Sequence, residues 1–109
     1  MPTAFKKEDC ARVKRIHLRS QRYNKLVGMS HPQRLLTLMR QHVCEIGDLQ
    51  VRQDPHFLVE TGDLLILCWE LLLEHKISPD KIFLKCCGRH EKKLDGLIRT
   101  ELKKRQQSV

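Results

Sequence analysis

Helix punctuation constrains this chain more than any other feature. Gly28 closes a basic run over residues 5–27 and can take the left-handed backbone that ends a helix. Ser30 followed by Pro32 reads as a cap and a first turn, because proline's missing N–H is no loss there. Asp54-Pro55 and Ser78-Pro79-Asp80 repeat the signal. Between these marks no strand alternation appears. The apolar spacing predicts four helices: residues 5–27, with a stripe at Val13, Ile16, Tyr23 and Val27; from Ser30 to Arg52 or Gln53, with Leu35, Leu38, Met39, Val43, Ile46 and Leu49; a third to about His75, with Leu58, Leu65, Cys68, Trp69 and Leu72; and a fourth from Pro79, fraying after Lys103. The expectation is an all-α, four-helix single domain over 1–109, with its core at about 30–104 and a basic N-terminal helix at 1–27. Helices two and three form a central antiparallel αα-hairpin, and oligomerisation completes the domain. At 109 residues and 40% hydrophobic content, the chain can bury one modest core but cannot hold a dinucleotide-binding fold or a (β/α)8 barrel.

Charge refines the functional reading. The net charge of +8 first suggests nucleic acid. It is unevenly placed: +8 over residues 1–40, −6 over 41–80 and +6 over 81–109. Carboxylates in the centre would repel a long phosphate backbone. They suit a hard cation, with basic flanks left for a short polyphosphate.

The acidic centre holds a repeated string, Glu45-Ile46-Gly47-Asp48-Leu49 and Glu60-Thr61-Gly62-Asp63-Leu64. Each copy puts carboxylates at i and i+3 on one helix face. Both pairs are symmetric about residue 54, so a hairpin turning at Asp54-Pro55 sets Glu45 opposite Asp63 and Asp48 opposite Glu60. At 1.5 Å per residue they stand roughly 9 to 14 Å from the turn. Gly47 and Gly62 fall near each other across the pair, and close backbone approach would justify two helix-interior glycines that cost about 1 kcal/mol each. Four gathered carboxylates repel and need compensation. Mg²⁺ or Mn²⁺ would supply it through oxygen ligands shared with water and substrate phosphates.

Two spaced acidic pairs resemble the signature of the MazG-like all-α nucleoside triphosphate pyrophosphohydrolases. The stretch from Glu60 to Asp80 is similar to the corresponding helix and turn of the phosphoribosyl-ATP pyrophosphohydrolases, a sister group. The resemblance covers about residues 33–93. Cys44 stands where many members have a glutamate, and Asp48 where glutamate is usual. The resemblance implies that Glu45, Asp48, Glu60 and Asp63 are Mg²⁺ ligands. It implies attack of activated water on the α–β phosphate linkage of a nucleoside triphosphate, with Glu45 the base on that water. Lys85, Arg89, Lys92 and Lys93 stand where members place phosphate-binding residues, and 85, 89 and 92 share a helical face. A homodimer or homotetramer is also implied.

The remaining features add little chemistry. Five cysteines without a CxxC fit neither a zinc site nor a disulfide framework, which suits a reducing, cytoplasmic setting. No signal peptide or membrane span is expected. The six histidines form no HxxxH or HExxH pair and are read as surface or helix-end residues. Two rival functions stand beside the enzyme: a small basic helical protein that binds nucleic acid or regulates, and a family member without activity that acts as a scaffold.

Overall fold

A computed structural model describes residues 5–107. The order is α1 (Lys7–Leu26), α2 (His31–Val51), α3 (Phe57–Glu74) and α4 (Pro79–Gln107), with no strand among the described residues. The all-α, four-helix expectation holds, and α4 runs past Lys103 to Gln107.

The first three helices end alike. Gly28 (φ 70°) follows α1, Gln53 (φ 56°) follows α2 and Lys76 (φ 57°) follows α3. After α1, Gly28 N–H donates to Lys25 O at 3.2 Å and Met29 N–H to Asn24 O at 2.8 Å. The same two bonds close α2 (Gln53 to Gln50, Asp54 to Leu49) and α3 (Lys76 to Leu73, Ile77 to Leu72). This is the Schellman cap, which satisfies carbonyls that the helix end leaves open. Only the first uses glycine. Gln53 and Lys76 adopt a left-handed backbone that costs a side-chain-bearing residue about 1–2 kcal/mol.

The packing falls into two units. In Phe5–Pro79, α2 and α3 make the most extensive helix pairing and α1 packs on both. The short connection 52–56 makes α2 and α3 antiparallel, as expected. The buried apolar residues are Val13, Leu35, Leu49, Leu67 and Trp69, and the Phe5 ring lies 4.5 Å from Trp69. The second unit contains α4, which buries no residue; Phe83, Leu84, Leu94, Leu97, Ile98 and Leu102 are all exposed.

Several expected core positions are corrected. Tyr23, Val27, Val43, Leu58 and Leu65 are exposed, whereas α1 buries His17 and Asn24, and α3 buries Glu70. On α1 the buried face is held by Val13, His17 and Asn24, spaced four and seven residues apart. Its link to the hairpin is polar: His17 Nδ1 lies 3.3 Å from Glu70 Oε1, Gln21 Nε2 donates to Glu74 Oε2 at 2.9 Å, and Asn24 Nδ2 lies 2.7 Å from His31 Nδ1. His17 is therefore a core histidine, contrary to the surface reading. Gly47 and Gly62 are corrected too. Both are exposed, and a methyl group added to either would meet open space, so no close helix approach explains them.

Candidate functional site

The hairpin does bring the repeated motif together, in a shifted register. Glu60 stands against Glu45 and His42, and the ligand atoms of His42, Glu60 and Asp63 lie within 4.8 Å of one another. The expected pairs, Glu45 with Asp63 and Asp48 with Glu60, give way to Glu45 with Glu60 and His42 with Asp63. Asp48 is exposed and outside the cluster.

The backbone explains the shift. The chain reverses at Arg52-Gln53, where Gln53 turns left-handed. Asp54 already belongs to the start of the next helical run: its Oδ1 accepts from His56 N–H at 2.9 Å and its carbonyl from Phe57 N–H at 3.3 Å. Asp54-Pro55 thus opens α3 instead of forming the centre of the turn. The halfway points of both observed pairs fall between Arg52 and Gln53.

Three elements set the electrostatics. His42 Nδ1 donates to Glu60 Oε2 and lies 3.9 Å from Glu45 Oε2. His56, at the N-cap of α3, places Nε2 3.4 Å from Glu60 Oε1. The Glu45 carboxyl is hydrogen-bonded to Glu60, and that bond, with the Glu60 charge beside it, raises the Glu45 pKa. The same bond and the one from His42 lower Glu60. The pair is split: Glu45 is held above and Glu60 below the ordinary carboxylate value. Their exposure differs accordingly, 56% for the Glu45 side chain and 13% for Glu60.

Two histidines were missed in the sequence. His42 lies three residues before Glu45, on the same helix face, and His56 four residues before Glu60. Those spacings were the available signal.

The predicted phosphate-binding residues Lys85, Arg89, Lys92 and Lys93 are all exposed on α4. Arg89 and Lys93 line a shallow groove of about 210 Å³ with Cys86 and His90, and Lys85 and Lys92 do not. A larger groove, about 410 Å³, runs beside Ile16, Tyr23, Leu35 and Leu38 and includes none of the acidic-face residues. All five cysteines are free, and burial pushes the Cys68 thiol up. No helix among the described residues is long and apolar enough to cross a membrane.

Comparison with known proteins adds no assignment: no family model, curated protein or solved structure matches this chain.

Proposed function

We propose that this chain is a Mg²⁺-dependent nucleoside triphosphate pyrophosphohydrolase, MazG-like in its chemistry, that works at the acidic face of the α2–α3 hairpin. The observation that carries the reading is the meeting of Glu45 and Glu60, one from each copy of the repeated motif, with Asp63 clustered with Glu60 and His42. The cluster offers the Glu60 and Asp63 carboxylates beside the His42 imidazole, with Glu45 against Glu60, and the carboxylates are the oxygens a hard cation takes. Two carboxylates in contact repel and shift each other's pKa values in opposite directions, as Glu45 and Glu60 do, and a cation between them would relieve that repulsion. Glu45, Glu60 and Asp63 would hold Mg²⁺ or Mn²⁺, with Asp48 the remaining carboxylate one turn along α2. When bound, such an ion polarises phosphoryl oxygens and lowers the pKa of water.

The chain's own residues then divide the work. Glu45 is open to solvent and the Glu60 carboxylate beside it raises its pKa, a direction that suits a base taking a proton from attacking water. Glu60 is held below the ordinary carboxylate value by the bond to Glu45 first and by His42 and His56 beside it. Lys85, Arg89, Lys92 and Lys93 offer charge-assisted contacts to phosphate oxygens. The exposed apolar residues of α4, Leu94, Leu97 and Ile98 among them, support association into a homodimer or homotetramer. Free cysteines and the absence of a membrane-crossing helix among the described residues accord with a cytoplasmic setting.

The exposed bases of α1 and α4 favour a second reading, a basic helical protein that binds nucleic acid. One assay separates the two. The purified protein is incubated with canonical and modified nucleoside triphosphates, with Mg²⁺ or with EDTA, and monophosphate and pyrophosphate are measured. Mg²⁺-dependent release of both supports the enzyme. No product across the panel, with salt-sensitive DNA or RNA binding, supports the second reading; neither activity leaves a scaffold.

A further inference from the structure

The polar core that joins α1 to the hairpin contains a constellation the hydrolase reading does not use. His17 comes from α1, His31 from the first turn of α2 and Glu74 from the last turn of α3. Both histidines direct Nε2 at one atom: His17 Nε2 lies 3.4 Å, and His31 Nε2 3.6 Å, from Glu74 Oε2. Both Nε2 atoms are buried and neither has a hydrogen-bond partner. The two imidazoles are 8% and 9% exposed. Two orphaned ring nitrogens on a common carboxylate oxygen need an explanation, since buried polar atoms are usually satisfied.

We propose that His17, His31 and Glu74 form a binding site for a divalent transition ion of the zinc class, which ties α1 to the α2–α3 hairpin. The spacing fits. A tetrahedral ion with bonds of about 2.0–2.1 Å holds neighbouring donors about 3.3 Å apart, close to the 3.4 and 3.6 Å seen here. Two imidazoles and one carboxylate select zinc-class ions over Mg²⁺, which prefers oxygen alone. Glu74, 23% exposed, leaves a solvent side from which water completes the shell.

The supporting groups are those a metal-bound histidine needs. The buried Glu70 carboxylate sits 3.3 Å from His17 Nδ1 and accepts a hydrogen bond from Nδ1–H, which favours the tautomer with a lone pair on Nε2. At His31 the buried Asn24 amide presents its NH₂ instead, with Nδ2 2.7 Å from Nδ1. His31 then carries its proton on Nε2 and would lose it to solvent as the ion binds. Gln21 donates to Glu74 Oε2 at 2.9 Å and steadies the carboxylate. Glu70 and Glu74 bring two carboxylates to the cluster, whose charge a dication would balance.

The test uses the full chain, stripped with EDTA and free of any tag, titrated with ZnCl₂ in excess Mg²⁺ while bound metal and melting temperature are followed. One Zn²⁺ per chain, with a raised melting temperature, is expected. His17→Gln and His31→Gln should each weaken binding by more than about 100-fold, and Glu70→Gln by about 10–100-fold. Co²⁺ substitution reads the ligands of the unaltered protein: nitrogen and oxygen d–d bands are expected, without a thiolate charge-transfer band. The Glu60→Gln protein should bind Zn²⁺ as the unaltered chain does, which keeps this test separate from the hydrolase reading. No bound Zn²⁺, binding that survives both histidine substitutions, a thiolate band, or loss of the ion with Glu60→Gln would each overturn the proposal.

Discussion

The molecule places histidine against glutamate in two regions, and the two environments give them different work. On the hairpin's outer face, His42 and His56 meet Glu60 and Glu45 where side chains are 13% to 57% exposed. Under α1, His17 meets Glu70 where both side chains are under a tenth exposed. Solvent weakens each contact on the outer face, so losing one costs little stability. The buried pair has no water to replace a lost partner, so breaking it leaves an orphaned group in the core. The outer face is therefore free to carry chemistry, and the inner cluster holds the helices together.

Substitutions can break that contrast. The largest effect should be on turnover. Glu60→Gln is expected to lower kcat by at least about 100-fold, because it removes the ionised carboxylate at the centre of the face, while the melting temperature stays close to that of the unaltered protein. A matching fall in melting temperature would mean the outer face is structural after all.

Next in size is Glu70→Ala. It should destabilise the fold by about 2–4 kcal/mol, because it strands His17 Nδ1 and opens a cavity. Urea unfolding measures this directly. A loss below about 1 kcal/mol would show that the inner cluster is as dispensable as a surface pair.

Smaller effects come from the backbone. Gln53→Gly and Lys76→Gly should each stabilise by about 1 kcal/mol, since glycine adopts their left-handed angle freely. Gly47→Ala and Gly62→Ala should add about 0.5–1 kcal/mol each, as the new methyl groups enter open space on exposed helix faces. If the glycine-to-alanine changes destabilise instead, something approaches those faces that the chain alone does not supply.

The subtlest effect is on pH. A carboxyl whose folded pKa is raised contributes stability below its ordinary value, 4.5 for Glu45, and loses it as pH rises through the raised value. Glu60, lowered, does the reverse: its contribution is present above 4.5 and lost as pH falls through the lowered value. Glu45→Gln removes the first contribution, so this protein should match or exceed the unaltered chain in stability at pH 7. The advantage should vanish below about pH 4.5. Urea midpoints at both pH values test the sign.

How far these regions were legible in the sequence follows from what marks them. Gly28, Pro32 and Pro79 announced helix ends because their backbone limits are chemical. Gln53 and Lys76 carry no such mark, so two of three left-handed caps went unseen, and with the first of them the true point of reversal. That one turn of register error moved Glu60 from Asp48 to Glu45 and brought in His42. The inner cluster was hidden for another reason. Asparagine and glutamate usually lie at the surface and histidine is only intermediate, so the face at Val13, His17 and Asn24 does not read as a core stripe. Gly47 and Gly62 suggested a close approach that does not occur, because a glycine in a helix reports permission for contact and not the contact itself.

The central claim is that the outer acidic face is a hydrolytic centre, and pyrophosphate release is its most direct measure. Unaltered and Asp63→Asn proteins should be compared on one nucleoside triphosphate at saturating Mg²⁺, with equal far-UV circular dichroism confirming that both are folded. The account predicts Mg²⁺-dependent release by the unaltered chain and none above background by Asp63→Asn. Equal release by both, or none by either on any nucleotide tried, would contradict it.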